Sequence, residues 1–149
     1  MPKKFFIKGE KMKNKILVAF LALFSVSLCF GANGVQYYDI NKAFATKQFQ
    51  KLNAVSFEFG SGSSANVIRQ GLRAHQKAKG AAKNPELACQ TAFFKTLVRF
   101  QKTAKKMGAP KVVNLVGRYY DQMHDNNATF QCWIVDNVAA TLYYGDVAN

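Results

Sequence analysis

Histidine is nearly absent from this chain, and the shortage narrows its chemistry at once. Of 149 residues only His75 and His124 are histidines. Neither sits beside a serine or cysteine motif, so no Ser–His or Cys–His triad can be read, and no catalytic residue is assigned. A phosphate-cradling G-x-x-x-x-G-K-[ST] loop is also missing. The one glycine–serine stretch, GSGSSAN at 60–66, lacks the lysine, which excludes an ATPase of that type. Carboxylates are few: eight aspartates and glutamates against 21 lysines and arginines, a formal charge of +13. No apolar run is long. Ile16 to Phe30 spans 15 residues, short of the roughly 20 that a membrane-crossing helix needs.

That short run has another use. Lys3, Lys4, Lys8, Lys11, Lys13 and Lys15 precede it and small residues follow, the pattern of a secretory signal peptide. Cleavage after Gly31 places Cys29 and Gly31 at the small-residue positions. A cut after Ala32 would put bulky Phe30 at one of them. Leu28 disfavours lipidation at Cys29. Met12 opens a complete signal peptide by itself, so residues 1–11 read as an upstream mis-start. The expected organisation is a signal peptide over 1–31 and a single periplasmic domain over 32–149, with no transmembrane anchor after cleavage. Cleavage removes six lysines and one glutamate, leaving 15 basic and seven acidic residues, a net charge of +8. It also leaves two cysteines, Cys89 and Cys132, which in an exported chain read as one disulfide. A reactive thiol pair would want C-x-x-C spacing, and 42 residues separate these two.

Along the mature chain, Ile40, Ala43, Phe44 and Leu52 suggest a short amphipathic helix over about 40–50. AVSFEFG alternates as a half-buried strand, with Val55, Phe57 and Phe59 on one face. Residues 67–84 carry many charges and two glycines, Gly71 and Gly80. They read as a charged edge strand in preference to a frayed helix. Asn84, Pro85 and Glu86 begin a helix as cap, first residue and first-turn acid. Cys89, Phe93, Leu97, Phe100, Ala104 and Met107 give it one apolar face, and Lys95, Arg99, Lys102 and Lys106 lie opposite. Gly108 and Pro110 stop it. KVVNLVGRYY reads as a central strand and DQMHDNNA as a loop. TFQCWIV and VAATLYYG read as a hairpin turned by Asp136-Asn137. The expected fold class is α+β: an antiparallel sheet of about four strands with one main helix (about 85–107) on one face, stapled to it through Cys89 and Cys132.

The stretch AKKMGAPKVVNLVGRYY (104–120), preceded by a cysteine that opens a helix and followed by Phe130-x-Cys132 and a last strand ending in Gly145, resembles a group of small bacterial periplasmic proteins. Many of these carry the label "excinuclease ATPase subunit". The same signature is similar to RcsF-like envelope-stress lipoproteins and, more distantly, to YbjQ-like domains described as heavy-metal binding. The resemblance covers most of the mature chain. Its most specific pieces are Cys89, Gly108-Ala109, Val112-Val113-Asn114 and Phe130-x-Cys132. The chain departs from the pattern in having Pro110 where the signature often has Asn, and one cysteine pair where RcsF has two disulfides. The resemblance implies a non-enzymatic envelope protein that binds a partner or senses stress, without a cofactor.

Three groups of residues stand as functional candidates. With both cysteines in a disulfide, His75, His124, Asp121 and Asp125 are the side chains left for a metal, and they read as solvated loop residues, so no metal site is expected. Between positions 69 and 111 lie eleven lysines and arginines and one acid, Glu86. Arg69, Arg73, Lys77, Lys79, Lys83, Lys95, Arg99, Lys102 and Lys106 form a candidate anion-binding surface. Aromatic rings do not interleave this charge, since Phe93 and Phe100 face the core. Asn127-Ala128-Thr129 is the only N-x-[ST] sequon, with Asp125 two positions ahead, and marks Asn127 as a candidate for N-glycosylation in an exported loop. The leading expectation is a partner-binding or stress-sensing envelope protein. A polyanion- or metal-binding module comes second and a small secreted hydrolase or nuclease third. The expected partner is an envelope protein or anionic envelope component, with no specific nucleic acid.

Overall fold

A computed structural model describes residues 33–149. The expected signal peptide, its cleavage point and the start at Met12 lie outside the described residues. In chain order the elements are β1 (Gly34–Asp39), α1 (Ile40–Phe44), a 3-10 turn (Gln48–Lys51), β2 (Ser56–Phe59), β3 (Val67–Lys79), α2 (Pro85–Lys106), β4 (Lys111–Tyr119), β5 (Gln122–His124), β6 (Thr129–Val135) and β7 (Val138–Ala148). Among the described residues no helix is long and apolar enough to cross a membrane.

The sheet corrects the expected fold. Among the described residues it has seven strands, not about four, and it is mixed, because β2 pairs with β4 in parallel while every other pairing there is antiparallel. Strand β7 is its axis. One edge of β7 pairs with β3 along almost its whole length. The other edge pairs with β6 at Val138–Ala140 and then with β4 from Tyr143 to Ala148. Strand β1 extends the β6 side, and β2 and β5 extend the β4 side. The region read as one helix over 40–50 divides into α1 and the 3-10 turn. Asp39 ends β1 and caps α1, its carboxylate accepting from Lys42 N at 3.1 Å.

Helix α2 begins and ends where the sequence says. Asn84 Oδ1 accepts from Leu87 N, and Pro85 occupies the first turn. At the far end Ala109 N donates to Ala104 O and Gly108 N to Lys105 O, which is the paired bonding of a Schellman cap around a left-handed Gly108 (φ +66°). The buried face of α2 (Cys89, Phe93, Leu97, Phe100, Ala104) packs on Phe130, Cys132 and Ile134 of β6, Tyr143 and Val147 of β7, and Ala74 of β3. The expected disulfide is present: Cys89 and Cys132 are bonded, both fully buried, with Cα atoms 5.8 Å apart. A buried hydroxyl pair, Thr96 and Thr141 at 2.6 Å, ties α2 to β7 in addition.

Two bulges flank β7 at one level. The β3 register shifts between Arg69 and Leu72 at Gly71 (φ +70°), and the β4 register shifts between Val113 and Val116 at Asn114 (φ +54°). Asp146 joins them, its carboxylate accepting from Gly71 N and from Asn114 Nδ2, both at 2.9 Å. Asn114 Oδ1 in turn accepts from Ser63 N. Asparagine tolerates positive φ better than other side chains, so the Val-Val-Asn signature has a backbone reason. Strand β7 runs past Gly145 to Ala148. Gly145 lies inside it, and a Cβ there would stand 2.7 Å from Leu115 Cδ2.

Candidate functional site

Strand β3 and helix α2 bring the basic candidates together. Alternation along β3 turns Ala74 and Ala78 toward the helix, where both are buried, and leaves Arg73, Lys77 and Lys79 exposed. A groove of about 570 Å³ opens between the free edge of β3 and α2. Arg73 lines it from the strand; Arg99, Lys102 and Lys106 line it from successive turns of the helix, with Leu72 and Phe100 as its apolar part. Among the described residues no acidic one lines it. Lys95 lies one turn before Arg99 and donates from Nζ to Lys77 O at 3.2 Å. Lys79 and Lys83 border a separate depression of about 450 Å³ at the other end of the strand, beside the start of α2. Arg69 lines neither. The sequence therefore supplies the charges, and the fold gathers four of the nine into one place.

The opposite face of the sheet holds a site that sequence reasoning missed. Trp133, Leu142, Tyr144, Arg73 and His75 alternate with core-facing neighbours, so they fall on the helix-free side. With Arg118, Tyr119 and Tyr120 they line a cavity of about 330 Å³. His75 stacks on Trp133 with ring centroids 5.5 Å apart, and Tyr119 sits 5.2 Å from the same indole. The Arg118 guanidinium lies over the Tyr144 ring at 5.9 Å, and Arg118 Nε donates to Tyr120 O. This corrects the expectation that aromatic rings stay apart from the charge. His75, Tyr119, Trp133 and Tyr144 come from four strands, Tyr120 from the turn after β4 and the arginines from two strands, so no local motif announces them. A planar group carrying negative charge would find both stacking and a cation here.

The histidines also differ from expectation: neither lies in a loop. His75 is in β3. Its Nε2 is buried and has no hydrogen-bond partner among the described residues. Burial, then the charges of Lys77 and Arg73, hold its imidazole below the ordinary value of 6.5. The folded state therefore resists a proton that the unfolded chain accepts at about 6.5. Stability contributed by neutral His75 is complete above that pH and is lost as pH falls below it. Thermal unfolding followed from about pH 8 to about pH 5 should show this decline, and His75→Gln should flatten it. His124 is in β5, where Nε2 contacts Thr129 Oγ1 at 2.8 Å and Thr129 O at 3.0 Å, and its ring packs on Tyr37.

Asp125 is also engaged. Its carboxylate accepts from Ser61 N at 2.8 Å and from the Ser61 hydroxyl, tying the 60–62 turn to the loop before β6. Those bonds, the side-chain one foremost, hold its carboxyl below the ordinary carboxylate value. Asn126 Oδ1 accepts from Ala128 N and Thr129 N, shaping the turn that leaves Asn127 exposed. Among the described residues no three of His, Cys, Asp and Glu converge on one point that could hold a metal ion.

No protein-family model matches this chain, and no curated protein matches its sequence.

Proposed function

We propose that this chain is a non-enzymatic protein of the bacterial cell envelope that binds an anionic partner in the groove between β3 and α2. One observation carries the reading: Arg73, Arg99, Lys102 and Lys106 converge from two elements on one concave surface without a carboxylate among its lining residues. Like charges gathered in a concave site focus their field on an incoming anion. The six lysines and short apolar run at the start of the chain support export to the periplasm. The likeness of the 104–120 stretch and its flanking cysteines to small periplasmic and RcsF-like proteins supports a partner-binding role there. Binding to lipopolysaccharide vesicles is expected to be strong at low salt and to weaken steadily as salt is added. The double variant Arg99→Glu/Lys102→Glu should lower it by about tenfold or more, since each reversal replaces attraction by repulsion. Binding that ignores both salt and the double variant would refute the groove.

The sequon belongs to the same picture. Asn127 is exposed on a turn, and we infer that it carries an N-linked glycan where the host has the machinery. Intact mass of natively produced protein should exceed that of the polypeptide, and Asn127→Gln should abolish the excess. A native mass equal to the polypeptide alone sinks this assignment.

A further inference from the structure

The groove has a second property, independent of its charge: one of its walls is an unpaired strand edge. Among the described residues β3 pairs only with β7. Which of its backbone groups face outward follows from one contact. Lys95 Nζ donates to Lys77 O, so that carbonyl points away from β7. In an antiparallel pair, residues alternate between bonding the partner and facing away from it. The N–H and C=O groups of Arg73, His75 and Lys77 therefore face outward, while Ala74, Gln76 and Ala78 bond to Tyr143, Thr141 and Ala139.

The β6–β7 hairpin gives the same parity. Val135 and Val138 flank a two-residue turn and pair with each other, so the even positions of β7 bond to β6 and the odd positions are left for β3. Leu72, Arg73, Ala74, His75 and Gln76 line the groove as one continuous stretch of strand.

A free edge of this length is a template for any extended chain. Here Arg69, Arg73, Lys77 and Lys79 stand along it, and Arg99, Lys102 and Lys106 face it. Two copies of this edge would meet cation to cation. An edge guarded in this way repels a second copy of itself and other basic strands, yet complements an extended segment rich in aspartate and glutamate. We propose that the partner is an acidic, extended peptide segment of another envelope protein, which adds to β3 as a further antiparallel or parallel strand. Its backbone would bond to Arg73, His75 and Lys77, and its carboxylates would meet Arg99, Lys102 and Lys106. The backbone bonds supply affinity and the charges supply selectivity. Lys95 would leave Lys77 O for a carboxylate as the strand extends. The proposal rests on the groove being the anion site and names the form its ligand takes.

The test compares two peptides of about eight residues with alternating glutamate and valine, one unmodified and one N-methylated at backbone amides on both edges. Inorganic polyphosphate serves as an anion without a peptide backbone. Affinities come from titration of the purified protein, and the strand edge is read by amide hydrogen exchange. The unmodified peptide is expected to bind about tenfold or more tightly than the methylated one, because several backbone bonds are lost in the latter. The amides of Arg73, His75 and Lys77 should exchange fast in the free protein and become protected only with the unmodified peptide. Equal affinity for the two peptides, or no new protection at those three amides, overturns strand addition. The groove reading survives that result if both probes bind and Arg99→Glu/Lys102→Glu weakens them. Failure of peptide and polyphosphate alike overturns both. A protein that dimerises through β3 in solution also overturns the proposal, since the edge would then be taken by a second copy.

Discussion

Reducing the Cys89–Cys132 bond is expected to lower stability by roughly 4 kcal/mol, because 42 residues lie between the two cysteines and the entropy of closing such a loop is restored to the unfolded chain. For a domain of this size that is a large part of the total. Urea unfolding with and without reductant checks it, and thermal unfolding should drop by roughly 10–20 °C. The double variant Cys89→Ala/Cys132→Ala should show a loss of the same order. The bond ties the first turns of α2 to β6, so its removal should also loosen one wall of the basic groove. Anion affinity of reduced protein should fall even where the protein stays folded. Unchanged stability after verified reduction would show that packing alone holds the helix on the sheet.

The second large effect belongs to Phe93. Its ring is fully buried and stacks on Phe130, centroids 4.2 Å apart and planes within 5°. Tyr143, Phe59 and Phe49 surround it at 5.4, 5.7 and 5.9 Å. Phe93→Ala removes the ring from the point where helix, sheet and 3-10 turn meet, at an expected cost of about 3–5 kcal/mol. Phe93→Leu keeps most of the volume and should cost much less. The neighbourhood cannot collapse easily into the gap, because Tyr143 is fixed from its other end: its hydroxyl oxygen accepts from Gln131 N at 3.0 Å. Denaturant midpoints at unchanged slope would give both numbers. A loss below about 1 kcal/mol for the alanine variant would contradict the close packing described.

What the sequence revealed and what it hid divide along physical lines. Helix α2 announced itself, because its caps are chemical signals local to Asn84, Pro85 and Gly108 and its apolar spacing is regular. The β6–β7 hairpin was legible for the same reason, and the disulfide because only two cysteines follow the expected signal peptide. The Asp136-Asn137 turn was legible too, although only Asp136 takes positive φ. Asn137 works instead through its carbonyl and side chain, which accept from Gly80 N, Ala81 N and Ala82 N at the approach to α2. Strand β1 was hidden because its two tyrosines run straight into the Asp39 cap, so its short pattern merged with the helical one. The parallel pairing of β2 with β4 was hidden because it joins segments about fifty residues apart, with α2 and β3 between them. The mixed character of the sheet follows from that pairing, whereas β5 was hidden because it is only three residues long within a polar stretch.

The candidate site divides in the same way. A dense run of lysine and arginine is visible without a fold, and it contained the groove residues. That Arg73 would share a cavity with Arg99 and Lys106, and Lys83 would not, depends on how β3 lies against α2. The cradle around Trp133 is assembled from β3, β4, β6 and β7, and nothing near Trp133 in the chain hints at Arg118 or His75.

The carboxylate of Asp146 bears on all of this as a phase reference. By holding the extra residue of β3 and the extra residue of β4 at one level of β7, it fixes the point from which both neighbours are counted. Every residue of β3 beyond Gly71 inherits its direction from that count. Inserting a single residue directly after Gly71 would invert the parity of the strand beyond it. Ala74 and Ala78 would then look outward, and Arg73 and Lys77 would turn into the core. The cationic edge is thus a matter of timing along the chain as much as of composition, and one aspartate on the neighbouring strand keeps the beat.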